Sequence, residues 1–225
     1  MVTYESIRGN TSVKTYIEAA DGTLRALGYT EHSFAHVTRV AETAGFLLDR
    51  LGYGPRMAEL ARIAGYLHDV GNLVNRVDHS QSGAVMAFRI LDNEGMAPDE
   101  IAVVVSAIGN HDEGTGAPVN PVAAALILAD KSDVRRSRVR NSDHASFDIH
   151  DRVNYSVHAT NLELDTVKKT LTLRLKIDTA YGSVMDFFEI FLTRMTMCKN
   201  AAQTLGLAFG LVINGQPVLL SLIHI

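Results

Sequence analysis

The sequence predicts a mainly α protein: a helical bundle followed by a small α+β unit of ββαββ-like order. Three observations carry this. Segments up to about residue 140 place apolar residues at three- and four-residue spacing, the period of an amphipathic helix. After residue 151 the apolar period falls to two, as in half-buried strands. A single amphipathic segment then separates that alternating region from an Asn-Gly dipeptide flanked by apolar runs, the strongest short hairpin signal.

The first helices read as SVKTYIEAADGTLRALG, HSFAHVTRVAETAGFLLDRLG and PRMAELARIAGYLHD. Gly28 and Gly52 supply C-terminal stops for two of them, and Pro55 opens the third. SQSGAVMAFRILDNEG, PDEIAVVVSAIGNH and NPVAAALILADKSDVRRSRVR follow, with Ser80 as a cap, Pro98 as a first-turn proline and Asn120-Pro121 as a cap and start. VVVSAI is β-branched enough for a strand, but it lies between helix signals and is assigned to helix. NSDHASFDIHD is polar and unperiodic and reads as a linker. RVNYSVHATNLELDTVKKTLTLRLKID alternates in two runs about ELDTVKK, a hairpin; MDFFEIFLTRMTMCKNAAQTLG is a helix; GLVINGQPVLL is a second hairpin turning at Asn214-Gly215. The expected units are residues 1–142 and 151–225.

Composition narrows the function. The 225 residues are 47% hydrophobic and 20% charged with no tryptophan, an ordinary globular balance. A net charge of -4 gives no general attraction for nucleic acid or acidic membranes. The one cysteine, Cys198, excludes an internal disulfide and a cysteine-rich zinc site, and it is expected to pack inside a helix. With no apolar run long enough for a membrane span and no signal-peptide core in MVTYESIRGN, the expected location is the cytoplasm.

Metal-capable side chains are unevenly spread. His36 lies mid-helix, His68 and Asp69 end the third helix, His79 opens the next, His111 ends another, and Asp130 follows the apolar run AAALILA. Helical bundles build metal sites by converging such side chains from different helices. Imidazole plus carboxylate without thiolate suits iron, manganese, cobalt, nickel or zinc and argues against copper(I) and iron–sulfur clusters. Each residue also has a plainer reading. His36 can be a core histidine, His32 a capping or surface one, His79 a helix start and His111 a loop residue. His68-Asp69 can be a helix C-terminus with Gly71 as its left-handed cap. Asp130 is harder to place so, because an unpaired buried carboxylate is costly.

The order His36, His68-Asp69, Asp130 resembles the HD superfamily of metal-dependent phosphohydrolases over residues 30–140. LHDVGN is similar to the family's HD-x-G core and LADKSD to its closing aspartate helix. His79 and His111 occupy places matching the extra histidines of the two-metal branch, which includes symmetrical dinucleoside tetraphosphate hydrolases. NHDEGTGAP also resembles the HHE…GxGYP stretch of HD-GYP cyclic dinucleotide phosphodiesterases. There, however, Asn110 and Ala117 replace a histidine and a tyrosine, and the long spacer after the HD pair is missing. Asn72 stands where a lysine often follows HD-x-G.

The resemblance implies one or two divalent transition metals, Asp69 bridging, with His36, His68 and Asp130 on one ion and His79 and His111 on the other. Two ions about 3.5–4 Å apart clamp the attacking and leaving oxygens and lower the pKa of water from 15.7 toward about 7. The implied reaction is hydrolysis of a phosphoester or phosphoanhydride of a nucleotide or small phosphorylated metabolite. Arg76, Lys131 and Arg135 are the expected phosphate contacts, Asp133 the expected orienting group beside Asp130, and Asp69, Lys131 and Asp133 the expected catalytic set. Asp112 and Glu113 are further orienting candidates, and Arg136, Arg138 and Arg140 read as a solvated basic end. The alternative is a non-catalytic nucleotide sensor signalling through its C-terminal unit. A homodimer through exposed sheet edges fits the sequence; nucleic acid does not, since no aromatic residues interleave with the arginines.

Overall fold

A computed structural model describes residues 1–141 and 147–220. The helices are α1 (Tyr4–Gly9), α2 (Thr11–Ala26), α3 (Phe34–Arg50), α4 (Pro55–Leu67), α5 (His79–Asn93), α6 (Pro98–Gly109), α7 (Pro121–Lys131), α8 (Ile149–Ser156) and α9 (Val184–Thr204). Short 3₁₀ turns cover Val70–Leu73 and Arg136–Arg138. The strands are β1 (Val157–Asp165), β2 (Thr170–Ile177), β3 (Ala208–Ile213) and β4 (Gln216–Leu220). The chain is mainly α with a small α+β C-terminal unit, as the periodicity predicts.

Side-chain caps set many helix starts. Asn10 accepts from Val13 N–H, Ser33 from Ala35 N–H and Asn120 from Ala123 N–H, while Ser183 and Asp186 form a reciprocal capping box. Gly28 and Gly52, at φ +82° and +78°, supply the expected left-handed stops. Ser80 does not cap: α5 begins one residue earlier, after Asp78 at φ +56°, with no side-chain cap bond. VVVSAI is helical, inside α6.

α7 is apolar on every side and therefore central. Val122 to Ala129 are all buried, and α3, α4, α6 and α9 pack around them. Behind it, α4 lies so close to α3 that a Cβ on Gly65 would stand 2.7 Å from the Ala41 Cα. The sheet runs β1-β2-β3-β4, antiparallel except for the parallel β2–β3 pair joined across α9. Leu171, Leu173 and Leu175 on β2 and Phe209 and Leu211 on β3 are fully or almost fully buried, as are Phe187, Phe191 and Cys198 on α9. Asn214 and Gly215 both take positive φ, which a type I′ turn requires. One contiguous hydrophobic core runs through both halves of the chain.

Two further expectations fail. The helix read through residue 140 ends at Lys131. Beyond it Ser132 Oγ folds back onto the Ala129 carbonyl, Asp133 turns to His36, and Arg135 to Glu31. Those tertiary bonds outweigh the helix propensity of a basic run. RVNYS, read as the start of a strand, belongs to α8, which Asp148 caps by accepting from Asp151 N–H at 2.7 Å. Of the segment read as a linker, residues 142–146 lie outside the described residues, as do 221–225 of the terminal LSLIHI.

Gly65→Ala should overpack the α3–α4 contact and cost about 1–3 kcal/mol. Denaturant unfolding measures it, and an unchanged midpoint would mean that the two helices can separate freely.

Candidate metal centre

Five helix termini converge on one point. His36 sits in the first turn of α3, on the face that also buries Val37, Val40 and Ala41. His68 is the residue after α4, and Asp69 follows it as the chain tightens into a 3₁₀ turn. His79 begins α5, His111 follows α6, and Asp130 lies in the last turn of α7. All six are buried or nearly so.

The same local device aims three of the histidines. His68 Nδ1 lies 2.8 Å from Gly65 O, His79 Nδ1 3.1 Å from Arg76 O, and His111 Nδ1 2.6 Å from Ile108 O. In each case the carbonyl is three residues earlier. Two of the three are carbonyls at a helix C-terminus, where backbone acceptors lack intrahelical partners. His36 Nδ1 instead meets Asp133 Oδ2 at 2.8 Å. Carbonyls and carboxylates only accept, so each Nδ1 carries the ring proton and each Nε2 turns inward as a lone pair.

What those lone pairs face is negative. His36 Nε2 lies 3.3 Å from Asp130 Oδ1 and 3.6 Å from Asp69 Oδ2; His68 Nε2 lies 3.3 Å from Asp69 Oδ2 and 3.7 Å from Asp130 Oδ1. Neither Nε2 has a hydrogen-bond partner. His79 Nε2 is 3.5 Å from Asp69 Oδ1 and 3.2 Å from His111 Nε2. Acceptors this close in a dry interior repel unless extra protons or cations stand between them. Metal ligands at about 2.1 Å and tetrahedral or octahedral angles are themselves about 3.0–3.4 Å apart, so the spacing fits a metal ion. Two overlapping donor groups meet this test, His36–His68–Asp130 and His68–Asp69–His111, each with its donor atoms within 4.8 Å of one another.

Electrostatics agree with the geometry. Burial opposes a charge on His68, but Asp69 and Asp130 outweigh it and hold its pKa up to about 10, so the pocket demands positive charge. Burial, then the neighbouring His68 and Lys131 charges, push His111 down to about 3, leaving it the neutral imidazole that a ligand must be. Burial alone would raise Asp69 and Asp130; His68 and Lys131 respectively lead the opposing charges that hold both well below the usual carboxylate range.

Neighbouring side chains fix the donors. Asn72, in the place of the expected lysine, donates to Asp69 Oδ1 at 2.9 Å and so orients the carboxylate. Sequence reading did not single it out for this, although its position three residues after Asp69 was the available signal. Asp133 orients His36 as expected, although it lies past the end of α7 and reaches His36 across the chain turn. Gly71 is not a left-handed cap. It lies in the 3₁₀ turn, where a Cβ would stand 2.0 Å from His79 O and 2.4 Å from Gly83 N, so its bare Cα lets α5 bring His79 in.

A 360 Å³ cavity opens above these groups. Asp69, His79, His111 and Asp130 form part of its floor, and Arg76, Lys131, Arg138 and Arg194 give it cationic walls. His32 and the loop from Leu27 to Thr30 close one side; Asp148, His150, Asp151 and Asn154 of α8 and its cap, with Phe191 of α9, close another. His32 is therefore a cavity residue rather than a helix cap. Lys131 is buried against Asp130 at 2.7 Å and Glu113 at 3.3 Å. Arg135 lies outside the cavity, bonded to Asp133 at 2.9 Å and Glu31 at 3.0 Å, so it braces the orienting carboxylate. Arg138, read as solvated, is buried, and Arg194 was not singled out at all.

The HD domain family model matches residues 33–135. Over these residues the chain is similar to HD domains. HD domains bind divalent metal ions, and the His/Asp groups above lie where one could be held. The chain is also 26% identical to an uncharacterized protein of Methanocaldococcus jannaschii, MJ1020, over 83% of this chain and 79% of that protein. No solved structure gives a significant match. Among the described residues, no helix is long and apolar enough to cross a membrane.

Asp133→Asn should leave the fold intact and weaken metal affinity about 10–100-fold, the usual effect of losing a group that orients a ligand histidine. Competition against a chromogenic chelator reads this, and wild-type affinity would remove Asp133 from the site.

Proposed function

We propose that the protein is a metal-dependent phosphohydrolase acting on a nucleotide or small phosphorylated metabolite. One observation carries the reading: four inward Nε2 atoms and two carboxylates converge, those of His36 and His68 with no hydrogen-bond partner, at the floor of a cavity whose walls include three arginines and a lysine. His36, His68 and Asp130 would hold one ion and His79 and His111 a second, with Asp69 shared. Bound divalent metal of this kind supplies Lewis acidity that activates water and neutralises phosphate charge. The chain's own residues do the rest. Asn72 and Asp133 hold Asp69 and His36 in register. Arg76 makes no ion pair among the described residues; its Nη1 lies 3.3 Å from Asn72 Oδ1 and 3.4 Å from His79 Nε2, and its charge would attract a phosphate oxygen beside them. Lys131, neutralised on Asp130 and Glu113, lowers the charge cost of bringing an anion beside the carboxylates.

A nucleotide sensor is the second reading, favoured by one feature: α8 and α9 of the C-terminal unit wall the same cavity, so a ligand there would touch both halves of the chain. Elemental analysis followed by phosphate release from a panel of nucleotides and sugar phosphates, with iron, manganese, cobalt, nickel or zinc supplied, separates the two. The expected outcome is bound transition metal and turnover, with Asp69→Ala losing both, activity by about 100-fold or more, at unchanged far-UV circular dichroism. Nucleotide binding without turnover selects the sensor. Metal and full activity retained in Asp69→Ala would remove the site assignment.

A further inference from the structure

Four cationic side chains reach the cavity, but they are not equivalent. Lys131 and Arg194 are neutralised, Lys131 by Asp130 and Glu113 and Arg194 by Glu113 at 2.6 Å. Arg76 is half-buried and reaches toward the Tyr29 ring, 5.7 Å from its centroid. Arg138 is only 6% exposed, three residues beyond the end of the HD match. Its Nε donates to Glu31 O at 2.9 Å and its Nη1 to Asp133 O at 3.0 Å, while Glu31 N–H donates back to Arg138 O at 2.8 Å. The guanidinium is thus locked in one orientation. Its nearest carboxylate oxygen, Asp133 Oδ2 at 3.9 Å, is already the acceptor of His36 Nδ1, and the other oxygen accepts from Arg135 Nε. Nη2 has no hydrogen-bond partner among the described residues, and the side chain lines the cavity beside Asp69 and Asp130.

A purely structural arginine would be complete with its two carbonyl bonds and would not need a place on the cavity wall. A guanidinium cannot discharge itself by losing a proton, and Nη2, which is not among the fully buried unpartnered atoms, remains accessible with no protein acceptor. An anionic oxygen in the cavity would gain from it a charge-assisted bond of fixed direction. We infer that Arg138 is a substrate-binding residue that donates from Nη2 to a phosphoryl oxygen, making the phosphate site a joint product of the HD domain and the segment that follows it. The inference rests on the reading that the cavity admits a phosphorylated ligand.

Two measurements test it on the full chain, with inorganic phosphate as the probe. In the first, the wild-type protein is treated with phenylglyoxal with and without phosphate, and labelled arginines are mapped by mass spectrometry. Arg138 should be labelled when phosphate is absent and protected when it is present. Equal labelling, or no labelling in either sample, overturns the inference. In the second, Arg138→Gln should keep its metal content and lose phosphate affinity by calorimetry about 10–100-fold, with Arg138→Lys recovering part of it. Wild-type phosphate affinity in Arg138→Gln also overturns it, and if that variant does not fold, the labelling decides. Failure of the hydrolase reading looks different: Arg138 would still be protected by phosphate while no ester was cleaved. Turnover by a wild type whose Arg138 is indifferent to phosphate would sink this inference alone.

Discussion

The structure depends on a repulsion. Four imidazole lone pairs and two carboxylates are turned toward one another in a space from which water is largely excluded. Nothing in the apolar packing asks for this, since these groups are buried among polar partners at the helix ends. They are held inward because their outer atoms are tied: three Nδ1–H groups to carbonyls three residues back, one to Asp133, and Asp69 to Asn72. A fold that spends so many hydrogen bonds to point acceptors at acceptors is arranged so that a cation could be held between them, in keeping with its similarity to HD domains, which bind divalent metals.

The tethers explain why the donors sit at helix ends. An imidazole in mid-helix finds the carbonyls of its own turn already bonded, whereas at a C-terminus they are free. His68 and His111 use that freedom directly. His79 does so at a helix start, taking the Arg76 carbonyl from the loop before α5. His36 has no such carbonyl, and it is the histidine whose partner must come from elsewhere, from Asp133. Asp133 in turn is steadied by Arg135, and Arg135 by Glu31, so the orientation of one ring reaches back to the loop before α3.

This division also marks what was legible in the sequence. The existence and type of helices with strong periodicity and local caps, such as α3, the body of α7 and α9, could be read, and so could the Asn214-Gly215 turn, because their causes lie within a few positions. The six donors were legible as unusual residue types in apolar helices, although His36 was read as mid-helix and lies in the first turn of α3. What was hidden had distant causes. The end of α7 at Lys131 is set by Asp133 and Arg135 reaching to His36 and Glu31, not by any breaker residue. α8 is helical although its residues alternate, with Asp148 capping it and Val153 and Phe147 buried. Gly71 looked like a cap because a glycine after a helix usually is one; its reason is the 2.0 Å that separates a would-be Cβ from His79 O.

The C-terminal unit enters the argument through α7. A helix apolar on every side needs cover on every side, and α3, α4 and α6 leave one flank that α9 fills. The fully buried Phe187 and Phe191 of α9 contribute to the shared core, and the same helix carries Arg194 to Glu113 and thereby to Lys131 beside Asp130. Phe191 is both a core residue and a cavity wall. Stability and site are therefore one interface here: the packing that keeps α7 out of water is what places the second half of the chain against the space where a substrate would lie. A domain attached merely as a passenger would have no reason to contribute an arginine to that wall, and this one contributes it from the helix whose Phe187 and Phe191 are buried in the shared core.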